Sequence, residues 1–199
     1  MGRNILFKLL DGFLLILIGY KALGMLFRVY SISIVTRFIN GNVSTRPQLS
    51  YIVKGIEMEN RIDYFFIITF LILLSSWFYI KYRSVHRATH IPLNYRPIWA
   101  AFSFVIPVFN LLAPYKIMSD IWLVQNKNMS AEQDGKQNIK TWWILSIIVF
   151  IISRLLKVLA EQVEGIEGFL RFEYYYLFFF AFTLHYILLT RKLVRMIGA

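Results

Sequence analysis

The sequence predicts an all-α integral membrane protein with four transmembrane helices and a proline-broken, re-entrant or interfacial helical hairpin between the second and third spans. Three observations predict this fold class. First, 58% of the 199 residues are hydrophobic and the mean hydropathy is +0.56, whereas a soluble domain is nearer half apolar. Second, four apolar runs approach the roughly 20 residues that cross a bilayer. Third, lysine and arginine gather at the ends of these runs, as they do around membrane spans.

The first apolar run follows a short charged start, lacks a small-x-small cleavage site and stays apolar beyond a signal-peptide length, so we interpret it as a retained span. A polar loop is expected over about 40–61, because it contains Asn-Gly, Arg-Pro and several charges. No linker or separable soluble domain follows, so residues 1–199 form one transmembrane domain. The four spans are predicted at about 9–30, 63–82, 142–160 and 174–190.

The segment 98–124 is apolar but broken. Pro107 and Pro114 each lack an N–H and clash with the carbonyl four residues back. The stretch before Pro107 makes about two helical turns, ~12 Å, which is far short of the ~30 Å hydrocarbon core. Asn110 lies between the prolines, where its amide can satisfy backbone groups that they leave bare or can face a ligand.

A second helix can begin at Pro114, because proline is tolerated in a first helical turn. Its apolar residues fall at helical spacing on one face, and Asp120 is predicted on the opposite, polar face together with Lys116 and Ser119. This pattern is typical of a helix that lies in the membrane interface. The segment is therefore predicted to enter and leave on the same side of the membrane.

The distribution of lysine and arginine supports four spans over five. With four spans and both termini in the cytoplasm, thirteen basic residues lie inside and four lie in the two predicted outer loops. With a fifth span through 98–124, the better orientation leaves seven inside and ten outside. Basic residues favour the cytoplasmic side. The inner set is Arg3, Lys8, Lys81, Arg83, Arg87, Arg96, Lys116, Lys127, Lys136, Lys140, Arg191, Lys192 and Arg195.

The centre of the chain carries an aromatic and proline pattern. A span closes with Trp77, Tyr82 and Arg83, and the next span opens with Trp142–Trp143. Between them lie Pro97, Trp99, Pro107, Asn110, Pro114, Tyr115, Asp120 and Trp122. Over roughly 63–195 this pattern resembles the bacterial multi-pass membrane family of unknown function numbered 4328. The resemblance implies a small bacterial membrane protein and no established activity.

Four cations fall in or beside the apolar spans: Lys21, Arg28, Arg154 and Lys157. Counted at 1.5 Å per residue from the inner ends, all four lie in the outer half of the bilayer. They can line an anion pathway or hold a lipid phosphate. The favoured alternative is that they snorkel outward and pair with acids predicted on the same side. These acids are Glu57, Glu59, Asp63, Glu161, Glu164, Glu167 and Glu173. Lys21 is the exception for which the functional interpretation is kept, because it is the deepest of the four and a charge inside the membrane is costly.

Chemistry that the sequence excludes narrows the choice of function. The chain has no cysteine, which rules out disulfides, thiol catalysis and cysteine-ligated clusters. We find no nucleophile elbow, phosphate-binding loop or zinc-protease motif, and we expect no cofactor and no metal. The positive charge follows the span ends, so nucleic acid binding is not expected.

Three functional hypotheses follow for a protein of the bacterial inner membrane. The first is a non-enzymatic protein that works by assembling with itself or with a membrane partner. The second is a small channel or transporter, since broken helices with polar residues often mark a permeation site. The third, an intramembrane enzyme that acts on lipid or peptide, is disfavoured by the missing motifs.

Overall fold

A computed structural model describes residues 2–41, 46–89, 92–104, 106, 109, 111–125 and 129–198, and for 2–4, 46 and 129–134 it describes the backbone alone. These residues contain helices and no strand. The helices are α1 (Gly2–Ile39), α2 (Arg46–Ala88), α3 (Pro97–Phe102), α4 (Ala113–Gln125), α5 (Met129–Glu161) and α6 (Gly165–Gly198). Within the described ranges α1, α2, α5 and α6 are long and apolar enough to cross a membrane. The predicted all-α fold with four spans is confirmed.

The four long helices form an antiparallel bundle in which α1 packs most extensively against α6. Asp11 contacts Arg191, and Arg28 contacts Glu173, so α1 and α6 run in opposite directions. Helix α2 also runs antiparallel to α1. Helix α5 packs on α6, where Trp142 Nε1 donates to Thr190 Oγ1 at 2.9 Å.

Helix α2 begins much earlier than the sequence pattern indicated. Residues 46–61 were expected in a polar loop, and this expectation is wrong, because they continue the helix of the second span. Ile52 is 1% exposed, and a Cβ on Gly55 would lie 2.6 Å from the Phe27 ring. A narrow apolar stripe therefore buries this part of α2 against α1, while its other faces are exposed and carry Tyr51, Val53 and Met58 as well as polar residues.

Helix α1 likewise extends past its predicted end to Ile39. Gly41, with a φ of +87°, follows it in the left-handed conformation that commonly ends helices. Its N–H donates to the Phe38 carbonyl at 3.1 Å, and the Asn40 N–H donates to Thr36. The α1–α2 connection thus lies beyond both predicted spans.

Two groups of charges bracket the apolar part of the bundle. The terminal charge cluster consists of Asp11, Arg191 and Arg195, with Asp11 Oδ1 2.8 Å from Nε of each arginine. The buried charge cluster consists of Lys21, Arg28, Glu59, Asp63 and Glu173. From Asp11 to Arg28 is about 25 Å along α1 at 1.5 Å per residue, close to the ~30 Å of a bilayer's hydrocarbon core.

The segment 98–124 does not form one continuous helix. Helix α3 has 6 residues and α4 has 13, so both are too short to cross a bilayer. Helix α4 packs on α2, α5 and α6, and its residues Ile117, Met118 and Ile121 join the main apolar core. Pro107 and Asn110, the residues predicted to break and repair this segment, lie outside the described residues.

Candidate functional site

Arg28 is the centre of the buried charge cluster. It is 1% exposed, and its guanidinium lies 4.5 Å from the centre of the Tyr176 ring. One terminal nitrogen donates to Glu173 on α6 at 2.5 Å, and the other donates to Glu59 on α2 at 2.5 Å. A single arginine therefore joins three helices through charge-assisted hydrogen bonds, which are stronger than neutral ones.

Lys21 extends this cluster two turns further into the membrane. Its Nζ lies 2.6 Å from Asp63 Oδ1, and the Phe180 ring centre is 4.7 Å from the ammonium. Tyr20, next along α1, donates to the backbone carbonyl of Glu59 at 3.2 Å. Lys21 and Arg28 are thus paired with acids, as the favoured interpretation of the sequence expected.

Arg154 and Lys157 do not join this cluster. Both are on α5 and exposed, and in the described part of the chain neither forms an ion pair. The Arg154 guanidinium lies 5.2 Å from the Phe150 ring centre. Extending the register set by Trp142 and Thr190 puts Lys157 within about one turn of the level of Glu173. The four predicted intramembrane cations are thus of two kinds, two buried and paired, two facing outward.

Asp120, on α4, is the centre of a second polar site. It is 6% exposed, so its predicted position on the polar face of an interfacial helix is wrong. Its Oδ2 accepts from Tyr82 Oη at 2.6 Å and from the Asn94 N–H at 3.1 Å, and its Oδ1 accepts from Asn94 Nδ2 at 2.7 Å. The Tyr82 hydroxyl accepts in turn from the Tyr95 N–H at 3.1 Å. Hydrogen-bond partners supplied by other segments outweigh the polarity that suggested exposure.

The remaining residues of the central pattern surround α4. Trp122 is buried, and a Cβ on Gly135 would lie 2.0 Å from its ring, so only a glycine lets α5 approach this indole. Pro114 is buried in the first turn of α4, and Tyr115 is half-buried. Trp99, on α3, is 41% exposed and packs on Phe109 with ring centres 5.2 Å apart.

Two residues of the polar sites were not predicted from the sequence. Gly24 faces Glu59, and Asn94 binds Asp120, yet neither belongs to a motif. The only available signal for Asn94 was a polar residue beside a basic loop, which is not specific. For Gly24 the signal was a glycine between two intramembrane cations, where space for a counterion is needed.

The described residues contain no group of three or more histidine, aspartate or glutamate side chains placed to hold a metal ion. What the geometry offers instead is a buried charge network, a hydrogen-bonded aspartate that joins α2 to α4, and an outward-facing cationic helix.

Comparison with known proteins identifies the family. Residues 61–199 match the model of the family described as Domain of unknown function (DUF4328). This range includes α3, α4 and the Asp120 site, and of the buried charge cluster it includes Asp63 and Glu173 but not Lys21, Arg28 or Glu59. No curated protein and no solved structure matches the chain. Since the match covers well over half of its length, the chain belongs to the DUF4328 family.

Proposed function

We propose that this protein is non-enzymatic and acts by self-assembly in the membrane, with the outer half of α5 as the contact between copies. The observation that carries the proposal is the pair of exposed cations, Arg154 and Lys157, within the predominantly apolar stretch 147–159 of α5. A charge that faces hydrocarbon costs several kcal/mol unless it snorkels or finds a partner.

Helix α5 is the least covered of the four long helices. Of its most apolar 18 residues only 6% are buried by the rest of the protein, against 33% for α6. Beyond Leu145 its one buried residue is Leu156. The exposed apolar residues of this part are Phe150, Ile151, Leu155, Val158 and Leu159. This apolar surface gives a second helix room to pack.

A second copy of the chain supplies a matching charge. Glu161 ends α5 and is exposed one turn beyond Lys157. In a pair of copies related by a two-fold axis along the membrane normal, identical residues lie at the same depth. Lys157 of each copy then lies about one turn, ~6 Å along the axis, from Glu161 of the other. Two identical ion pairs would close the assembly.

Exchange of these charges tests the contact. We expect Lys157→Glu alone and Glu161→Lys alone to shift the protein toward monomer in mild detergent or nanodiscs, because each places like charges together. An equal mixture of the two variants, carrying different affinity tags, should form mixed dimers, because both cross-pairs are then complementary. Mass measurement of the species that both tags capture gives the result.

The mixture separates contacts between copies from an ion pair within one helix. If Lys157 pairs only with Glu161 of its own α5, each variant assembles as the wild type does and mixing changes nothing. The matched control is Lys54→Glu, on the exposed face of α2, which should leave assembly unchanged. A wild-type protein that stays monomeric at membrane-like density contradicts self-assembly.

The channel or transporter hypothesis draws its support from a cationic outer half. Two of its four cations are neutralised by Glu59, Asp63 and Glu173, so the geometry favours assembly over an anion path.

We also propose that the protein lies in a bacterial inner membrane with both termini in the cytoplasm, and that α3 and α4 enter from that side. Arg37, at the far end of α1, joins the outer side, so basic residues number thirteen inside and five outside. The chain has no cysteine, so single cysteines report sidedness cleanly.

A membrane-impermeant maleimide applied to intact spheroplasts should label Lys54→Cys, and should label Gln137→Cys only after the membrane is opened. Both positions are exposed on described helices. Labelling of Gln137→Cys in intact spheroplasts would contradict the proposed orientation and indicate the opposite one.

A further inference from the structure

The buried charge cluster is not electrically balanced. Helix α1 contributes the cations Lys21 and Arg28, α2 contributes Glu59 and Asp63, and α6 contributes Glu173. Two cations face three carboxylates, which leaves one surplus negative charge if every group is ionised. Among the described residues, the other titratable groups that face the cluster are the phenols of Tyr20 on α1 and Tyr176 on α6. Phenols are neutral below about pH 9, so they do not offset the charge.

The hydrogen bonds of the cluster do not reach two of its carboxylate oxygens. The Arg28 terminal nitrogens and the Lys21 ammonium already bind one oxygen on each carboxylate. In the described part of the chain, Glu59 Oε1 and Glu173 Oε2 are buried and accept no hydrogen bond, and Arg28 Nε and the Ser31 hydroxyl beside Glu173 are likewise buried without a partner. The two glutamates are 8% and 0% exposed. A buried anionic oxygen without a donor is costly.

Gly24 provides the space in which one of these oxygens lies. A Cβ at this position would be 2.9 Å from Glu59 Oε1 and 3.1 Å from the Phe180 ring. The oxygen is thus held between the α1 backbone and an aromatic ring, away from water. In such surroundings the neutral form of a carboxyl group is favoured over the charged form.

We propose that Glu59 and Glu173 share one bound proton, so that the buried charge cluster is a proton-binding site built on α1, α2 and α6. One added proton neutralises one carboxylate, so that two cations face two negative charges. It also converts an orphan acceptor into an O–H donor. Two carboxyl groups held by one guanidinium take up this proton as a coupled pair. The site is on helices other than the α5 surface proposed for assembly, so the two proposals stand or fall separately.

Infrared spectroscopy of the full-length protein in lipid nanodiscs tests the site. Exposed carboxyl groups are ionised above about pH 6, so a neutral carboxylic C=O stretch at that pH reports a retained proton. We expect one such band in the wild type and its absence in Glu59→Gln and in Glu173→Gln, because either change removes the surplus charge. Glu57→Gln, an exposed neighbour on α2, should keep the band.

The pH dependence of stability gives a second measurement. The folded wild type holds a proton that the unfolded chain releases above about pH 5, so its stability should fall as pH rises through the range in which the folded site releases it. This slope should flatten in Glu59→Gln and Glu173→Gln and persist in Glu57→Gln.

Two results would overturn the proposal. The first is a wild-type spectrum without the neutral carboxyl band at pH 6, or a band that both glutamine variants retain. The second combines two observations on the wild type: the neutral carboxyl band is absent, and the unfolding temperature rises in sodium chloride but not in choline chloride at equal ionic strength. That outcome would assign the surplus charge to a bound monovalent cation.

Discussion

Replacing Arg28 by methionine should lower the free energy of unfolding by about 3–5 kcal/mol, the range for breaking a buried ion pair by removing one partner. Methionine keeps much of the side-chain volume, so the loss reports charge more than packing. Glu59 and Glu173 would lose the guanidinium that each binds at 2.5 Å. Thermal unfolding in one detergent, together with the yield of folded protein, measures the effect.

Arg37→Met is the matched control, since Arg37 is on the same helix but exposed. It should change the free energy by less than about 0.5 kcal/mol. A protein that carries Arg28→Met together with Glu59→Gln and Glu173→Gln should recover part of the loss, because no buried charge is left unpaired there. An Arg28→Met protein as stable as the wild type would show that this network does not hold α1, α2 and α6 together.

The four spans were predictable because a transmembrane helix requires a long apolar run, which is visible in the sequence itself. About 20 apolar residues must lie in sequence to cross hydrocarbon, and no tertiary contact is needed to recognise them. The need of Lys21 and Arg28 for acids was predictable for the same reason, since a buried charge needs a partner wherever it is placed.

The helical ends were not predictable in this way. The run 46–61 contains many polar and charged residues, and its helix depends on Ile52 and Gly55 packing against α1. This packing is a tertiary contact between two helices, and the local sequence does not show which residues of α1 take part in it. Composition alone therefore placed the end of the helix at the end of the apolar run.

The predicted exposure of Asp120 was wrong for a related reason. A carboxylate on an amphipathic helix is usually solvated, and its partners Tyr82 and Asn94 are 38 and 26 residues away. Only a fold that returns α2, the following loop and α4 to one place reveals the site. By contrast, Pro114 in the first turn of α4 follows from the local backbone constraint of proline.

Asp120→Ala should cost about 2–3 kcal/mol, because it leaves the buried Tyr82 hydroxyl without its acceptor and removes both hydrogen bonds to Asn94. Helix α4 and the residues near Asn94 should separate from α2 first, since this carboxylate joins them. Hydrogen exchange should therefore rise at Asn94 and Tyr95 more than in the four long helices. Asp120→Asn, which keeps an acceptor, should lose less, about 1–2 kcal/mol.

Lys116→Ala, an exposed change on the same helix, serves as the control and should have little effect. The pair can be tested further with Tyr82→Phe, which removes the hydroxyl that donates to Asp120 at 2.6 Å. In the variant that carries both Tyr82→Phe and Asp120→Ala, the loss should be smaller than the two single losses together, because the orphan hydroxyl is gone. Fully additive losses would mean that Tyr82 and Asp120 do not act as one unit in holding α4 to the bundle.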